Sequence, residues 1–266
     1  MRAVGGSQSG NTPVDQSKPS AARIYDYLLG GKDNYDVDRQ AAEAVLAVVP
    51  DQRLLARANR AFVIRAVRYL AKSGVRQFLD LGTGLPTSPS VHEAVGEVAA
   101  ARVVYVDRDP VVKVYNDALL ATTPGVTCLE ADIREPDAIL EQVRQQDLLD
   151  FDEPVAVLLA AVLHLVPDAE DPAGLVRRFC APLVPGSHLV LSQFAAHSDP
   201  EAMAQLRAVA DGTPVETYFR DREEVLRFFD GFELLPPGLV DVEQWRPDIE
   251  PLPTRLKITG GVGRLP

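Results

Sequence analysis

Gln77-Phe78-Leu79-Asp80-Leu81-Gly82-Thr83-Gly84-Leu85-Pro86-Thr87 is the stretch on which the fold turns. Its first five residues read as a short apolar strand, and two glycines follow at once. Glycine permits a tight bend and lets the backbone approach a ligand closely. Ser90 with Glu93 three residues on has the form of a capping box, so a helix is expected to start there. Downstream the alternation continues. Further strands are expected over 102–106, 125–131, 155–163 and 187–194, with helices over 110–120, 138–146 and 173–180 between them. Asp221 with Glu224 opens a helix over 222–229, ended by Gly231, and 232–235 and 256–259 read as two last strands. Strands spaced by helices predict an α/β fold: a doubly wound, mostly parallel, seven-stranded sheet with helices on both faces.

Upstream, residues 1–18 are rich in Gly, Ser, Gln and Asn and are expected to be disordered. A helix after Pro19-Ser20 should run to Leu29 and end at Gly30-Gly31, where glycine takes the left-handed conformation cheaply. A second should cover 38–49, stopped by Pro50, and a third should run from the Asp51 cap through Lys72. The expected organisation is thus a tail (1–18), an N-terminal helical segment or lid (19–73) and an α/β core (74–266) within one domain overall.

The 266 residues are 46% apolar, enough to bury a sizeable core, and carry a formal net charge of -11. A nucleic-acid partner would want a basic face, so none is expected. Cys128 and Cys180 form no CxxC pair and no metal-like spacing, so two reduced thiols and no metal are expected. The N-terminus lacks the apolar run of a secretory leader, and 155–166 is too short to span a bilayer. A cytoplasmic protein without a membrane partner is the expectation. Oligomeric state is not legible.

In parallel sheets ligands bind beyond the carboxyl ends of the strands. After the first strand, Asp80, Gly82, Thr83 and Gly84 form a glycine bend. It lacks the third glycine of a dinucleotide fingerprint, since Thr87 stands there. Pro86 removes an N–H, and the helix start is set back from Gly82. That suits a ligand without a phosphate, and an acid at Asp80 suits an ammonium. S-adenosylmethionine (SAM) has these features. Asp107, 25 residues after Gly82 and followed by Arg108, is placed to accept bonds from both ribose hydroxyls. Asp109 reads as a helix cap before Pro110. Asp132 and the Ile133 amide could meet adenine, or Asp132 could cap a turn. His164, after the fourth strand, is a candidate general base or a structural histidine.

Gln77 to Pro86, Val103 to Pro110 and Ala131 to Ile133 resemble the SAM-binding motifs of class I methyltransferases. More closely, the chain resembles an actinobacterial family of SAM-dependent methyltransferases first catalogued as a domain of unknown function. The residues that carry this are Ala22-Arg23-Ile24-Tyr25-Asp26-Tyr27-Leu28-Leu29-Gly30-Gly31-Lys32-Asp33-Asn34-Tyr35, Arg57-Ala58-Asn59-Arg60, Phe78 to Thr87, Val104-Tyr105-Val106-Asp107, Pro185-Gly186-Ser187 and Phe228-Phe229-Asp230-Gly231. The likeness runs from about Ser20 to Asp248. It implies a Rossmann-like core that binds SAM, and it supplies no acceptor. Pro86 departs from class I enzymes, where a third glycine is common. Within the N-terminal string, a lid closing over the methionine end of SAM would use Tyr27 and Asn34, and a helical brace is the alternative. Arg60 would bind the methionine carboxylate or a loop acid, or lie on a solvated helix face. Thr217-Tyr218-Phe219-Arg220 is a candidate wall for a small-molecule methyl acceptor. Competing readings are an NAD-dependent oxidoreductase and a non-enzymatic SAM-binding module.

Overall fold

The structure, a computed structural model, describes residues 17–120, 123–213, 215–248, 250 and 252–266. The expected disorder of 1–18 therefore lies almost wholly outside the described residues. Three helices come first: α1 (Ala21–Leu29), α2 (Asp36–Val48) and α3 (Gln52–Lys72). The alternating part follows as β1 (Gln77–Leu81), α4 (Val91–Gly96), β2 (Arg102–Asp107), α5 (Pro110–Leu120), β3 (Val126–Glu130), α6 (Pro136–Gln145), β4 (Ala156–Ala160), α7 (Pro172–Cys180) and β5 (His188–Phe194). The chain closes with α8 (Pro200–Ala210), α9 (Arg222–Arg227), β6 (Glu233–Leu234), β7 (Val240–Asp241) and β8 (Ile258–Arg264).

The strand order is β3-β2-β1-β4-β5-β8-β6, with β7 also on β8. The strands from β1 to β5 are parallel, and β8 runs antiparallel to β5. Seven expected strands become eight named ones for a local reason. β6 and β7 pair with the two ends of β8 and share one edge position, interrupted by Pro236-Pro237-Gly238. Proline cannot donate to a ladder, so pairing stops there.

Alternate residues of each central strand serve opposite faces. Phe78, Val103, Leu158 and Val190 face α3, α4 and α8. Leu79, Leu81, Val104, Val157 and Leu189 face α6, α7 and α9. Burying both faces is why these strands read as continuous apolar runs. The expected capping boxes at Ser90–Glu93 and Asp221–Glu224 are present. Gly30 ends α1 at φ 93° as expected. Asp51 makes no side-chain cap to α3, and instead accepts from the Arg255 amide across the molecule.

The strand order reverses between β1 and β4, and the carboxyl ends of β1 to β5 lie on the same side of the sheet there. Over those ends lies α1. Its Arg23 is buried and donates to Asp38 Oδ2 (2.7 Å), Asp109 Oδ2 (3.0 Å) and the Lys18 carbonyl (2.8 Å). Ser20 adds bonds from its amide to Asp38 and from its hydroxyl to Asp109. One cation and two acids thus join the N-terminal helices to the end of β2.

Candidate active site

A cavity of about 540 Å³ opens at the switch point. Its floor is the set of strand ends. Asp80 comes from β1, with Gly82, Thr83 and Gly84 in the bend after it. Asp107 ends β2, and Asp132 and Ile133 follow β3. Gly82 has φ 73°, and a Cβ there would sit 2.4 Å from Val162 Cγ2, so geometry and space both demand glycine. The bend is held by Gly82 N–H donating to the Val106 carbonyl (2.8 Å) and Gly84 N–H donating to Asp107 Oδ2 (2.9 Å).

Asp80 is buried, and among the described residues its carboxylate accepts one hydrogen bond, from Thr83 Oγ1 at 3.2 Å. Burial pushes its pKa up to about 6, countered in part by the nearby Arg60 cation. Burial also raises Asp107, offset by amides from Asp109 and Gly84, each at 2.9 Å. Two of its lone-pair sites are so engaged, and a carboxylate has about four. Asp132 is less free. It accepts from the Arg134 amide (3.0 Å) and pairs with Arg108 (3.5 Å) and Arg134 (3.4 Å). The turn-capping role is therefore present, and Arg108 sits half exposed at the cavity edge.

Arg60 lines the cavity, but its guanidinium donates to the Thr87 (2.8 Å) and Pro89 (2.6 Å) carbonyls and pins the loop after β1. Its Nε is buried without a partner among the described residues. The solvated-face alternative is excluded by these contacts.

Tyr27 and Asn34 are not in the cavity wall. Tyr27 points to α2 and α3, where its hydroxyl bonds Glu43 and Arg53 lies over its ring at 4.7 Å. Asn34 orders the turn after α1, donating to Asp26 and accepting from Arg39. The α1 residues that do reach the cavity include Ala22, Ile24, Tyr25 and Leu28, on the opposite side of the helix.

His164 lines the cavity in a single helical turn after β4, its ring against Phe194 at 4.6 Å. Burial and the Arg220 cation lower its pKa to about 3. So low a value makes the imidazole a weak base that is neutral near pH 7, which favours the structural alternative over the general base. Arg220 itself donates to the Leu163 and Val166 carbonyls and pairs with Asp168, fixing this turn from behind. Of the expected acceptor wall, Thr217 reaches the cavity. Ala161, just after β4, has φ 54°, a strained geometry for alanine, and both its neighbours Ala160 and Val162 also line the cavity.

Among the described residues no cluster of His, Cys, Asp or Glu could hold a metal ion, and no helix is long and apolar enough to cross a membrane. Cys128 and Cys180 are free thiols, both pushed up to about 12 by burial.

The pattern of the family described as S-adenosyl methyltransferase matches residues 7–266. The chain belongs to this family. A DUF574 family protein from Streptomyces avermitilis is 40% identical, with a TM-score of 0.91, covering 95% of this chain and all of that one. A protein from Thermobifida fusca is 38% identical, with a TM-score of 0.89, covering 95% of this chain and 97% of that one. The magnesium protoporphyrin IX methyltransferase of Synechocystis, solved with S-adenosylhomocysteine, shares the fold at 14% identity and a TM-score of 0.53, over 90% of this chain and 92% of that one. No curated protein matches. The expected class I methyltransferase resemblance holds, and the methyltransferase takes SAM as its cofactor.

The cavity fits that cofactor. α4 begins only at Val91, so the N-terminus of the helix that follows the Gly82–Gly84 bend is set back from it, unlike in a phosphate-binding loop. Asp80, buried with a single hydrogen-bond donor among the described residues, suits an ammonium.

Proposed function

We propose that the protein moves the methyl group of SAM to a small-molecule acceptor by direct in-line displacement. One observation carries the reading: Asp80, Asp107 and Ile133, from the ends of three adjacent parallel strands, line the same cavity as the Gly82–Gly84 bend. When bound, SAM supplies an electrophilic methyl carbon on a sulfonium. Asp80 in its ionised form would hold the ammonium, Asp107 would accept from the ribose hydroxyls, and Ile133 would meet the adenine. Arg60 keeps the bend closed. The turn carrying His164 and the strained Ala161 lines the same cavity, and the wall there would align the acceptor. No residue needs to form a covalent bond. α1 is the lid, latched by Arg23, and it excludes water. The cavity is a pocket of about 540 Å³ roofed by that helix, which supports an acceptor of small-molecule size over a macromolecular chain.

The test is calorimetric titration with S-adenosylhomocysteine, followed by incubation with radiolabelled SAM and a fractionated lysate. Binding that Asp107→Ala weakens at least tenfold, with label entering the small-molecule fraction, is expected. No binding would overturn the cofactor site. Binding with no labelled product in any fraction would favour the non-enzymatic module. Label in the macromolecular fraction would overturn the acceptor class.

A further inference from the structure

Two adjacent residues of α3 hold different parts of the cavity. Arg60 pins the loop after β1 through the Thr87 and Pro89 carbonyls. Asn59, one residue earlier, is 2% exposed and belongs to the same cavity wall. Its Oδ1 accepts from Ser192 Oγ on β5 (2.7 Å), and its Nδ2 donates to the Tyr25 hydroxyl on α1 (3.1 Å). The chain of bonds continues at both ends. Ser192 Oγ accepts from the Ala161 amide (2.9 Å), which also donates to the Ser192 carbonyl (3.0 Å). Tyr25 donates to the Ala56 carbonyl (2.9 Å) of α3.

Hydrogen bonds thus run without a gap from the strained residue after β4 to the roof of the cavity. A backbone amide only donates and a carbonyl only accepts. The Ala161 amide at one end and the Ala56 carbonyl at the other therefore set the direction of both hydroxyls and of the Asn59 side chain between them. Turned over, the Asn59 amide would cost Ser192 its acceptor and draw the Tyr25 proton away from Ala56. Ser192 is wholly buried, and in such surroundings the members of a network strengthen one another, so the loss of one weakens the rest. The φ of 54° at Ala161 is a geometry that alanine keeps only where its surroundings enforce it. The doubled acceptor on its amide is that enforcement, and Asn59 orients the side-chain half of it.

We propose that Asn59 is a positioning residue for methyl transfer: through Ser192 it fixes the turn after β4, on the acceptor side of the cavity, against Tyr25 in the roof. The proposal rests on the methyltransferase reading above, since it is that reaction's acceptor that the turn would align. Arg57-Ala58-Asn59-Arg60 then serves the cavity twice, Arg60 holding the cofactor loop and Asn59 the opposite turn.

Tyr25→Phe removes one hydroxyl and leaves both acceptors of the Ala161 amide in place. Amide hydrogen exchange of the full chain, followed residue by residue by NMR, should show Ala161 exchanging about fivefold faster, with the interior of β4 unchanged. Asn59→Leu should have at least the same effect, and adding Tyr25→Phe to it should change Ala161 no further, because the connection is already cut. S-adenosylhomocysteine affinity by calorimetry should stay within about twofold in both single variants, because Arg60 still holds the loop after β1. Transfer of label from saturating SAM to the lysate fraction that the unaltered protein labels should fall about fivefold. Ala161 exchange unmoved by Tyr25→Phe, exchange rising equally throughout β4, or cofactor affinity falling as far as transfer would each overturn the proposal. If S-adenosylhomocysteine fails to bind the unaltered protein, the methyltransferase reading has failed instead, and the Ala161 exchange still decides whether Asn59 holds the turn.

Discussion

Replacing Arg23 by alanine tests the idea that α1 is bound to the cavity floor by charge. Arg23, Asp38 and Asp109 have side chains 4%, 0% and 9% exposed, so this is a buried ionic cluster. Removing one partner of a buried pair typically costs about 3–5 kcal/mol, because the charge left behind is uncompensated. Here the acids keep other donors. Asp38 retains the Ser20 and Tyr35 amides, and Asp109 retains the Ser20 hydroxyl and the Val111 amide. The lower end, about 3 kcal/mol, is therefore expected for Arg23→Ala. For a domain of this size that is a fall of roughly 6–12 °C in Tm by scanning calorimetry. Because α1 lines the cavity, affinity for S-adenosylhomocysteine should weaken too. The loss is bounded at roughly 150-fold, since a shift between states cannot exceed its own free energy. Arg23→Lys keeps the charge but not the forked geometry and should fall between. A Tm within about 1 °C of the parent, with unchanged affinity, would refute the latch.

Three further outcomes follow from the site. Asp80 ionises near 6 in the fold against 3.8 in an exposed chain, so its contribution to stability is full below about 4 and lost above about 6. Ligand affinity runs the other way: an ammonium needs the carboxylate, so S-adenosylhomocysteine should bind about tenfold more weakly near pH 5 than near pH 7.5, and Asp80→Asn should flatten that profile in calorimetry. Gly82→Ala forces φ 73° on alanine and drives its Cβ into Val162, so a loss of more than about 1 kcal/mol by urea unfolding and loss of ligand binding are expected. His164 and His188 are lowered to about 3 and about 4 by burial next to Arg220 and Arg264. Unfolded imidazoles ionise near 6.5, so both contribute stability above that value that is lost as pH falls toward 4, and the double variant His164→Gln with His188→Gln should be measurably less acid-sensitive in thermal melts.

The alternation of strands and helices was legible because β1 to β5 are short, apolar on both faces and bounded by turn residues. The end of the chain was not. β8 runs Ile258–Arg264, and three of its seven residues, Gly260, Gly261 and Gly263, carry no side chain to mark a period. At Gly260 a Cβ would come within 2.8 Å of Val242 and 3.1 Å of Phe62, so close packing put glycine where a strand pattern was sought. α8 gave no start signal that the sequence reading recognised, although Asp199 caps it through the Ala202 amide. Among site residues, Asp80, Gly82, Asp107 and Ile133 could be read from their place after strands. Arg23 could not, because its partners lie 15 and 86 residues away. Tyr27 and Asn34 belong to a highly specific string, and their bonds within it are to α2, α3 and a local turn. His164 lines the cavity wall, yet its chemistry depends on Arg220, 56 residues later, which no local pattern encodes.

Asp109 is a shared hinge pin. Its side chain holds the roof through Arg23, and its backbone amide donates to Asp107 on the floor. Hydrogen–deuterium exchange makes the consequence visible. The amides of α1 and the first turn of α5 should open as one cooperative unit, and a nucleoside bound to Asp107 should slow exchange in both, including α1 amides that never touch it. Cofactor residence time would then be set by how often a helix near the start of the chain lets go.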